Sequence, residues 1–186
     1  MTAQMPDRVF IQGMGFALTA VNGTGLFDPA ARGLEPQGFS TGCYRGHVCR
    51  YAVKERLVLR GLELGAEEEP PPLDGVRPRQ DEHLGSWRYQ RLDLPVSFTG
   101  RLLVGRGYAD SPVVNMGFWP AWRYAEVHDL AFRDGVLVSA EDCSAALAEV
   151  RANLPATGPA PGEPFGDWFE RTFSLTYEYS WPGRPQ

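Results

Sequence analysis

The side chains with the clearest capacity for metal or thiol chemistry are three cysteines and three histidines. Cys43, His47 and Cys49 stand at positions i, i+4 and i+6, so an uninterrupted strand would turn all three towards one face. Thiolates and an imidazole are ligands that zinc prefers. Two buried free cysteines beside a partly buried histidine explain the same spacing, and zinc sites usually draw their ligands from tight turns. We therefore expect no metal here.

A second arrangement, Cys143 with His128 or His47, could pair a thiol nucleophile with a base. Cys143 lies on the apolar side of a predicted helix, where a thiol behaves as a small hydrophobic group. The sequence has no serine nucleophile elbow, phosphate-binding loop, zinc-protease motif or dinucleotide fingerprint. It therefore favours a protein that is not an enzyme and has no cofactor.

Aromatic residues interleaved with arginines are the most suggestive feature of the chain. Trp, Tyr and Arg dominate binding hot spots because each combines a large contact area with a polar group. One interpretation is that these side chains plug the open end of a barrel and stack on arginines. The other is a recognition surface or the lining of a ligand pocket. The candidate binding residues are Tyr44, Arg45, His47, Trp87, Arg88, Trp119, Trp122, Arg123 and Tyr124.

Two hairpins are predicted to organise the fold. Residues 43–64 contain two apolar, β-rich runs on either side of Lys54-Glu55, and the alternation slips at Gly61, which predicts a bulge. Asp134-Gly135 between apolar runs predicts a second hairpin, because glycine accepts the positive φ that such a turn needs.

The remaining elements are one helix and several further strands. Ser139 and Asp142 form a capping-box pattern before an apolar helical stripe, which predicts a helix over about 140–153. Alternation from Arg171 to Trp181 predicts a final strand with one dry face. About eight hairpin-linked strands and one helix predict a mainly β fold, an antiparallel barrel or sandwich.

Length and composition favour a single domain over residues 1–186. An acidic and triple-proline stretch predicts an exposed excursion at about 66–86, and residues 155–166 are rich in proline and glycine. A net charge of -5 argues against nucleic acid as a partner. The chain has no secretory signal pattern and no apolar run long enough for a membrane span, so we expect a cytoplasmic protein with reduced thiols.

Several short motifs resemble those of an uncharacterised family of small bacterial proteins. Cys43-Tyr-Arg-Gly-His47 stands where that family has Cys-Trp-Arg-Gly-Tyr, and Met116-Gly-Phe118 with Tyr124 and Glu126 is similar to its Met-Gly-Tyr/Phe and Tyr-Glu pair. Phe98-Thr-Gly-Arg-Leu102 and the run from Phe132 to Val138 are similar to two further segments. The resemblance implies one β-rich bacterial domain and implies no chemistry.

Three functional hypotheses follow from these patterns. The first is a non-enzymatic binding protein that acts through a protein partner, for instance as an immunity or accessory factor, with aromatic loops on a rigid β scaffold. The second is a small-molecule-binding barrel, including a cofactor-free enzyme, which would require an enclosed apolar pocket. The third is self-association through an exposed sheet edge.

Overall fold

The computed structural model describes residues 2–109, 116–153, 159 and 162–184. Within these ranges the chain is mainly β. The strands are β1 (Arg8–Ile11), β2 (Met14–Thr24), β3 (His47–Val53), β4 (Leu57–Gly65), β5 (Arg79–Asp81), β6 (Ser86–Pro95), β7 (Thr99–Tyr108), β8 (Tyr124–Arg133) and β9 (Val136–Asp142). The α-helices are α1 (Ser144–Asn153), α2 (Phe165–Thr172) and α3 (Tyr177–Ser180), and 3-10 turns cover Ala30–Arg32 and Ala121–Arg123.

The strands form one sheet in the order β5-β6-β4-β3-β1-β2-β7-β8-β9. The sequence predicted an antiparallel fold of about eight strands, whereas the sheet has nine strands and is mixed, because β1 runs parallel to β3. The parallel pair arises because β1 already forms a hairpin with β2, and the long connection from β2 brings β3 to the free side of β1.

The sheet is strongly curved but is not closed into a barrel. Its two halves approach each other where the β3–β4 and β8–β9 turns meet. Leu57 N donates to Gly135 O at 2.8 Å, and Leu137 N donates to Glu55 O at 2.9 Å. The concave side therefore encloses a core to which both halves of the sheet contribute.

The concave face carries the larger hydrophobic core, which we call the inner core. It is filled by alternate residues of the strands, as a half-buried sheet requires, with Leu34 and Leu73 contributed by connecting segments. Its largest fully buried side chains are Tyr51, Tyr89, Phe16, Phe98, Leu18, Leu57, Leu59, Leu62, Leu64, Leu92 and Leu102.

A smaller core, the outer core, lies on the convex face of β2, β7 and β8. Ala17, Ala20 and Leu103 supply the sheet side, and Leu147 of α1 covers them. Tyr177 and Trp181 of the C-terminal segment pack against the same cluster. This convex face positions the candidate site described below.

Both predicted hairpins are confirmed. β3 pairs with β4, and the register shifts between Leu59 and Gly61, where the bulge was expected. In the β8–β9 turn, Asp134 and Gly135 have φ values of 48° and 76°, the left-handed pair that a tight two-residue turn requires.

The predicted helix exists but begins later than expected. Ser139 lies in β9 instead of capping the helix, because residues 139–142 continue the ladder with β8. α1 starts at Ser144, whose backbone N–H donates to Asp142 Oδ1 at 2.9 Å. The side chain of Asp142, and not that of Ser139, therefore accepts a hydrogen bond from the first turn of the helix.

The predicted final strand over Arg171–Trp181 is wrong. That segment contains the end of α2 and the short helix α3, which begins after Thr176. Aromatic residues from Phe165 onwards also fit helical spacing. The segment docks on the face of the sheet through side chains and through one backbone bond, in which Val21 N of β2 donates to Leu175 O at 2.8 Å. Tyr177, for example, reaches Asp129 of β8.

The segment 66–86, predicted to be an exposed excursion, divides into exposed and packed parts. Glu67 to Glu69 and the residues of the β5–β6 turn are exposed, whereas Leu73 belongs to the inner core and Pro78 is buried. The same segment adds β5 as an edge strand. Of the segment 155–166, half of the residues lie outside the described ranges, and α2 begins at Phe165.

Candidate functional site

A cleft of about 120 Å³ opens on the convex face of the sheet beside β1, β2 and β7, and we call it the aromatic cleft. Its floor is Ala17, its walls are aromatic, and the N-terminal segment forms one rim. The lining residues are Ala3, Gln4, Pro6, Arg8, Ala17, Tyr108, Trp119 and Tyr124.

The aromatic wall is a stack of rings with an arginine on it. The Tyr108 and Trp119 rings meet edge to face with centroids 4.8 Å apart, and Tyr108 lies 5.9 Å from Tyr124. The Arg123 guanidinium sits over the Trp119 ring at 3.8 Å, within range of a cation–π interaction. Tyr108 is 72% exposed, so this wall presents an aromatic face to solvent.

Two glycines allow these rings to take their positions. Gly117 has φ 64°, and a Cβ there would lie 2.1 Å from the carbonyl oxygen of Thr172. Phe118 N donates to that same oxygen at 2.8 Å, so α2 anchors the segment that leads to Trp119. At Gly105 a Cβ would lie 2.5 Å from Tyr124 Cγ, because the tyrosine ring covers the glycine.

The cleft has a positive electrostatic environment. The pKa of Tyr124 is raised to about 12, mainly by burial and also by the neighbouring Tyr108, whereas Arg8 and Arg123 act in the opposite direction. Burial lowers the pKa of Arg123, although three nearby tyrosines partly offset that effect. The Trp119 indole Nε1 is buried and has no hydrogen-bond acceptor within the described residues.

Tyr44 and Arg45 lie on the other side of the N-terminal segment. Arg45 forms an ion pair with the buried carboxylate of Asp7 at 2.7 Å and lies over the Phe118 ring at 5.2 Å. Asp7 Oδ1 also accepts from Cys49 N at 2.6 Å. Arg45 therefore holds the N-terminal segment, the start of β3 and the Trp119 segment together.

Tyr44 also ends a row of aromatic rings that continues into α2. Its ring stacks on Phe173 with centroids 6.2 Å apart, Phe173 lies 4.6 Å from Phe169, and Phe169 lies 6.4 Å from Phe165. Tyr44 is 57% exposed and Phe165 is 58% exposed. Tyr44 N donates to Gln4 Oε1 at 3.0 Å, so the row adjoins the rim of the aromatic cleft.

The other candidate residues lie elsewhere. Trp87 and Arg88 are on β6, where the Trp87 indole donates to Ala66 O at 3.2 Å and Arg88 pairs with Asp81 at 2.5 Å. Trp122 packs against the outer core, and its carbonyl accepts from Arg151 Nε of α1 at 2.6 Å. These three residues do not line the cleft.

His47 and the thiols do not form a metal centre. Cys43 precedes β3 in a turn, so Cys43, His47 and Cys49 do not lie on one uninterrupted strand. Burial raises the pKa of all three thiols, which disfavours the reactive thiolate, and burial lowers the pKa of His47. Within residues 2–109, 116–153, 159 and 162–184, no three His, Cys, Asp or Glu side chains are grouped to hold a metal ion.

A second polar cluster, centred on the fully buried Asp129, lies on the same convex face, and we call it the Asp129 cluster. Asp129 accepts from Arg101 Nε at 3.1 Å, from Arg184 Nη2 at 2.6 Å and from the Tyr177 hydroxyl at 2.9 Å. Arg101 also pairs with Glu141 at 3.2 Å. The cluster fastens the C-terminal segment to β7 and β8.

Sequence reasoning missed Arg8 and Tyr108 in the cleft and Asp129 with its partners. Neither Arg8 nor Tyr108 is among the candidate binding residues, because neither belongs to one of the aromatic and arginine clusters of the sequence. Asp129 did carry a signal, because it is an acidic residue within the apolar run of β8. A charge in such a run needs a partner if it is buried, but its partners are too distant in sequence to be identified.

Comparison of the chain with protein-family models, with curated proteins and with solved structures finds no match in any of the three. The resemblance to the uncharacterised bacterial family therefore stays a prediction. Among the helices of the described ranges, none combines the length and the apolar character needed to cross a bilayer.

Proposed function

We propose that this chain is a non-enzymatic binding protein that acts through a protein partner, for instance as an immunity or accessory factor. In this proposal the aromatic cleft is the anchor site for the partner. The exposed ring of Tyr108 beside a small cleft walled by Trp119 and Tyr124 is the observation that carries it. Binding hot spots concentrate these residue types around a pocket that one side chain fills.

The size of the cleft supports a protein anchor over a small-molecule ligand. Ligand pockets usually span about 300–1,000 Å³, whereas the aromatic cleft holds about 120 Å³. The concave side of the sheet, where the alternative hypothesis would need a cavity, is occupied by buried side chains, among them Tyr51, Tyr89 and Phe98. A small-molecule carrier or cofactor-free enzyme is therefore the weaker proposal.

The class of partner and the cellular location that we propose rest on the charge and the cysteines of the chain. A net charge of -5 favours a partner other than nucleic acid. A cytoplasmic location agrees with three free, buried cysteines. We propose no cofactor.

Affinity capture from an extract of the native host tests the proposal when it compares two substitutions at one rim position. Ala3→Trp fills the cleft from its rim, whereas Ala3→Ser leaves it open. We expect a protein that the wild type and Ala3→Ser retain at equal levels and that Ala3→Trp loses. Equal retention by all three chains, or no specific retention by the wild type, would contradict the proposal.

Size-exclusion chromatography with light scattering separates a foreign partner from a second copy of this chain. If the wild type is a dimer and Ala3→Trp is a monomer of unchanged thermal stability, the partner is a second copy. A monomer in both cases, with a protein captured as described, supports a foreign partner.

A further inference from the structure

Arg8 carries a positive charge at the aromatic cleft that the surrounding protein does not neutralise. It is exposed and lines the cleft, and no carboxylate of the described residues lies within ion-pair distance of it. Other arginines of this sheet do have such a partner: Arg60 pairs with Asp93, and Arg101 pairs with Asp129. Arg8 is therefore a cation available to a ligand.

The neighbouring strand increases this positive charge. Arg8 is aligned with Arg50 in the parallel β1–β3 pair, so both side chains leave the convex face side by side. The nearest carboxylate to Arg50 is Glu63 at 3.8 Å, and Glu63 already accepts from Ser86 Oγ at 2.8 Å and lies 3.6 Å from Arg88. Like charges on adjacent strands repel, and an anion bound at Arg8 would relieve that repulsion.

We propose that the aromatic cleft selects its protein partner by an acidic side chain, Asp or Glu, whose carboxylate pairs with Arg8 while its stem contacts the rings of Tyr108 and Trp119. This inference rests on the proposed function, because it names the chemistry of the anchor. It assigns Arg8 as the specificity-determining residue of the site.

The volume of the cleft favours a carboxylate over an aromatic anchor. An engineered protein cavity of about 150 Å³ holds benzene, and the aromatic cleft is smaller, at about 120 Å³. A short stem with a planar carboxylate fits that space. The planar guanidinium of arginine matches a carboxylate with two parallel hydrogen bonds.

The charges near Tyr124 also favour a carboxylate as the anchor. The groups that act on its pKa through their charge are Tyr108, Arg8 and Arg123, and no carboxylate of the described chain is among them. A ligand carboxylate would thus meet cations and hydroxyl groups, with no competing acidic side chain in that set.

The test uses the Trp119 indole N–H as a reporter in two-dimensional NMR spectra. The chain has five tryptophans, and the signal that disappears in Trp119→Phe is assigned to Trp119. The probes are two capped tripeptides, acetyl-Ala-Glu-Ala-amide and acetyl-Ala-Gln-Ala-amide, together with inorganic phosphate. Arg8→Gln is compared with Arg133→Gln, an exposed arginine at the β8–β9 turn.

We expect the Glu peptide to shift the Trp119 signal saturably and the Gln peptide to bind at least about tenfold more weakly. Arg8→Gln should weaken binding of the Glu peptide by about tenfold, whereas Arg133→Gln should leave it unchanged. Equal binding of the two peptides, an unchanged affinity in Arg8→Gln, or no shift with either peptide would overturn the inference. Phosphate that competes as strongly as the Glu peptide would also overturn it, in favour of a phosphate ligand.

The capture experiment with Ala3→Trp distinguishes failure of the acidic-anchor inference from failure of the proposed function. A partner that Ala3→Trp loses and Arg8→Gln retains would leave the cleft as the binding site and refute the acidic anchor. A partner that both variants lose supports both the cleft as the binding site and the acidic side chain as its anchor.

Discussion

The Asp129 cluster and the aromatic cleft lie on the same convex face and use the same residue types, yet they differ in how fully their charges are satisfied. Asp129 is fully buried and accepts hydrogen bonds from two arginines and a tyrosine. Arg8 in the cleft is exposed and has no carboxylate within ion-pair distance among the described residues. A satisfied charge stabilises the fold, whereas an unsatisfied one is available to a ligand.

The largest effect is expected at the centre of the Asp129 cluster. Asp129→Ala leaves Arg101, Arg184 and the Tyr177 hydroxyl without their shared acceptor, and loss of one member of a buried ion pair typically costs about 3–5 kcal/mol. We expect the free energy of unfolding in urea to fall by at least about 3 kcal/mol. Asp129→Asn, which keeps an acceptor for Tyr177, should lose less. A loss below about 1 kcal/mol for Asp129→Ala would mean that the cluster does not fasten the C-terminal segment.

A methyl group at Gly105 tests how tightly the wall of the cleft is packed. The new Cβ would lie 2.5 Å from Tyr124 Cγ, so Gly105→Ala should lose about 2 kcal/mol, as overpacked cores do. Gly166→Ala is the matched control, because nothing lies within 4 Å of a Cβ there. The control should be neutral or slightly stabilising, since alanine favours the helix. Equal melting temperatures for Gly105→Ala and the wild type would show that the Tyr124 ring moves freely.

The raised pKa of Tyr124 predicts a loss of stability at alkaline pH. Its pKa is about 12 in the folded chain and 10.0 in the reference state, so folding favours the protonated hydroxyl. This contribution is complete below pH 10 and is lost as the pH rises towards about 12. Between those values Tyr124 should account for a decrease of about 1–2 kcal/mol.

Tyr124→Phe removes this titration and should flatten the alkaline part of the stability curve measured by urea unfolding at each pH. At neutral pH the same substitution should change stability by less than about 0.5 kcal/mol. An alkaline slope that Tyr124→Phe leaves unchanged would show that other groups, Tyr89 among them, account for all of it.

The smallest stability effect is expected at Arg8. Arg8→Gln removes no ion pair within the described chain and relieves its repulsion from Arg50, so its free energy of unfolding should stay within about 0.5 kcal/mol of the wild type. Arg101→Gln removes a donor from Asp129 and should lose about 1.5 kcal/mol or more. If Arg8→Gln destabilised the chain as much as Arg101→Gln, the contrast between cleft and cluster would be wrong.

The elements that sequence reasoning predicted well are those specified by local chemistry. Asp134-Gly135 specifies its turn through the φ values that it tolerates, and the slip of alternation at Gly61 marks the bulge because side chains alternate strictly along a strand. The apolar stripe of α1 also predicted a helix, although its first turn was placed inside β9.

The features that could not be predicted depend on contacts between distant residues. The alternation of residues 171–181 suits a strand. The bonds that hold the segment on the sheet, from Tyr177 to Asp129 and from Val21 to Leu175, join residues far apart in sequence. The cleft is assembled from four separate stretches of the chain, so its Trp119 and Tyr124 were candidates while Arg8 and Tyr108 were not.

Site-specific photo-cross-linking in the native host tests the central claim most directly. A photoreactive phenylalanine analogue replaces Tyr108 in one chain and Leu84, which is 40% exposed at the β5–β6 turn, in another. We predict one discrete protein adduct from position 108, none from position 84, and loss of the adduct when Ala3→Trp is added. Adducts of equal yield from both positions, or an adduct from position 108 that Ala3→Trp leaves unchanged, would contradict the assignment of the aromatic cleft as the partner-binding site.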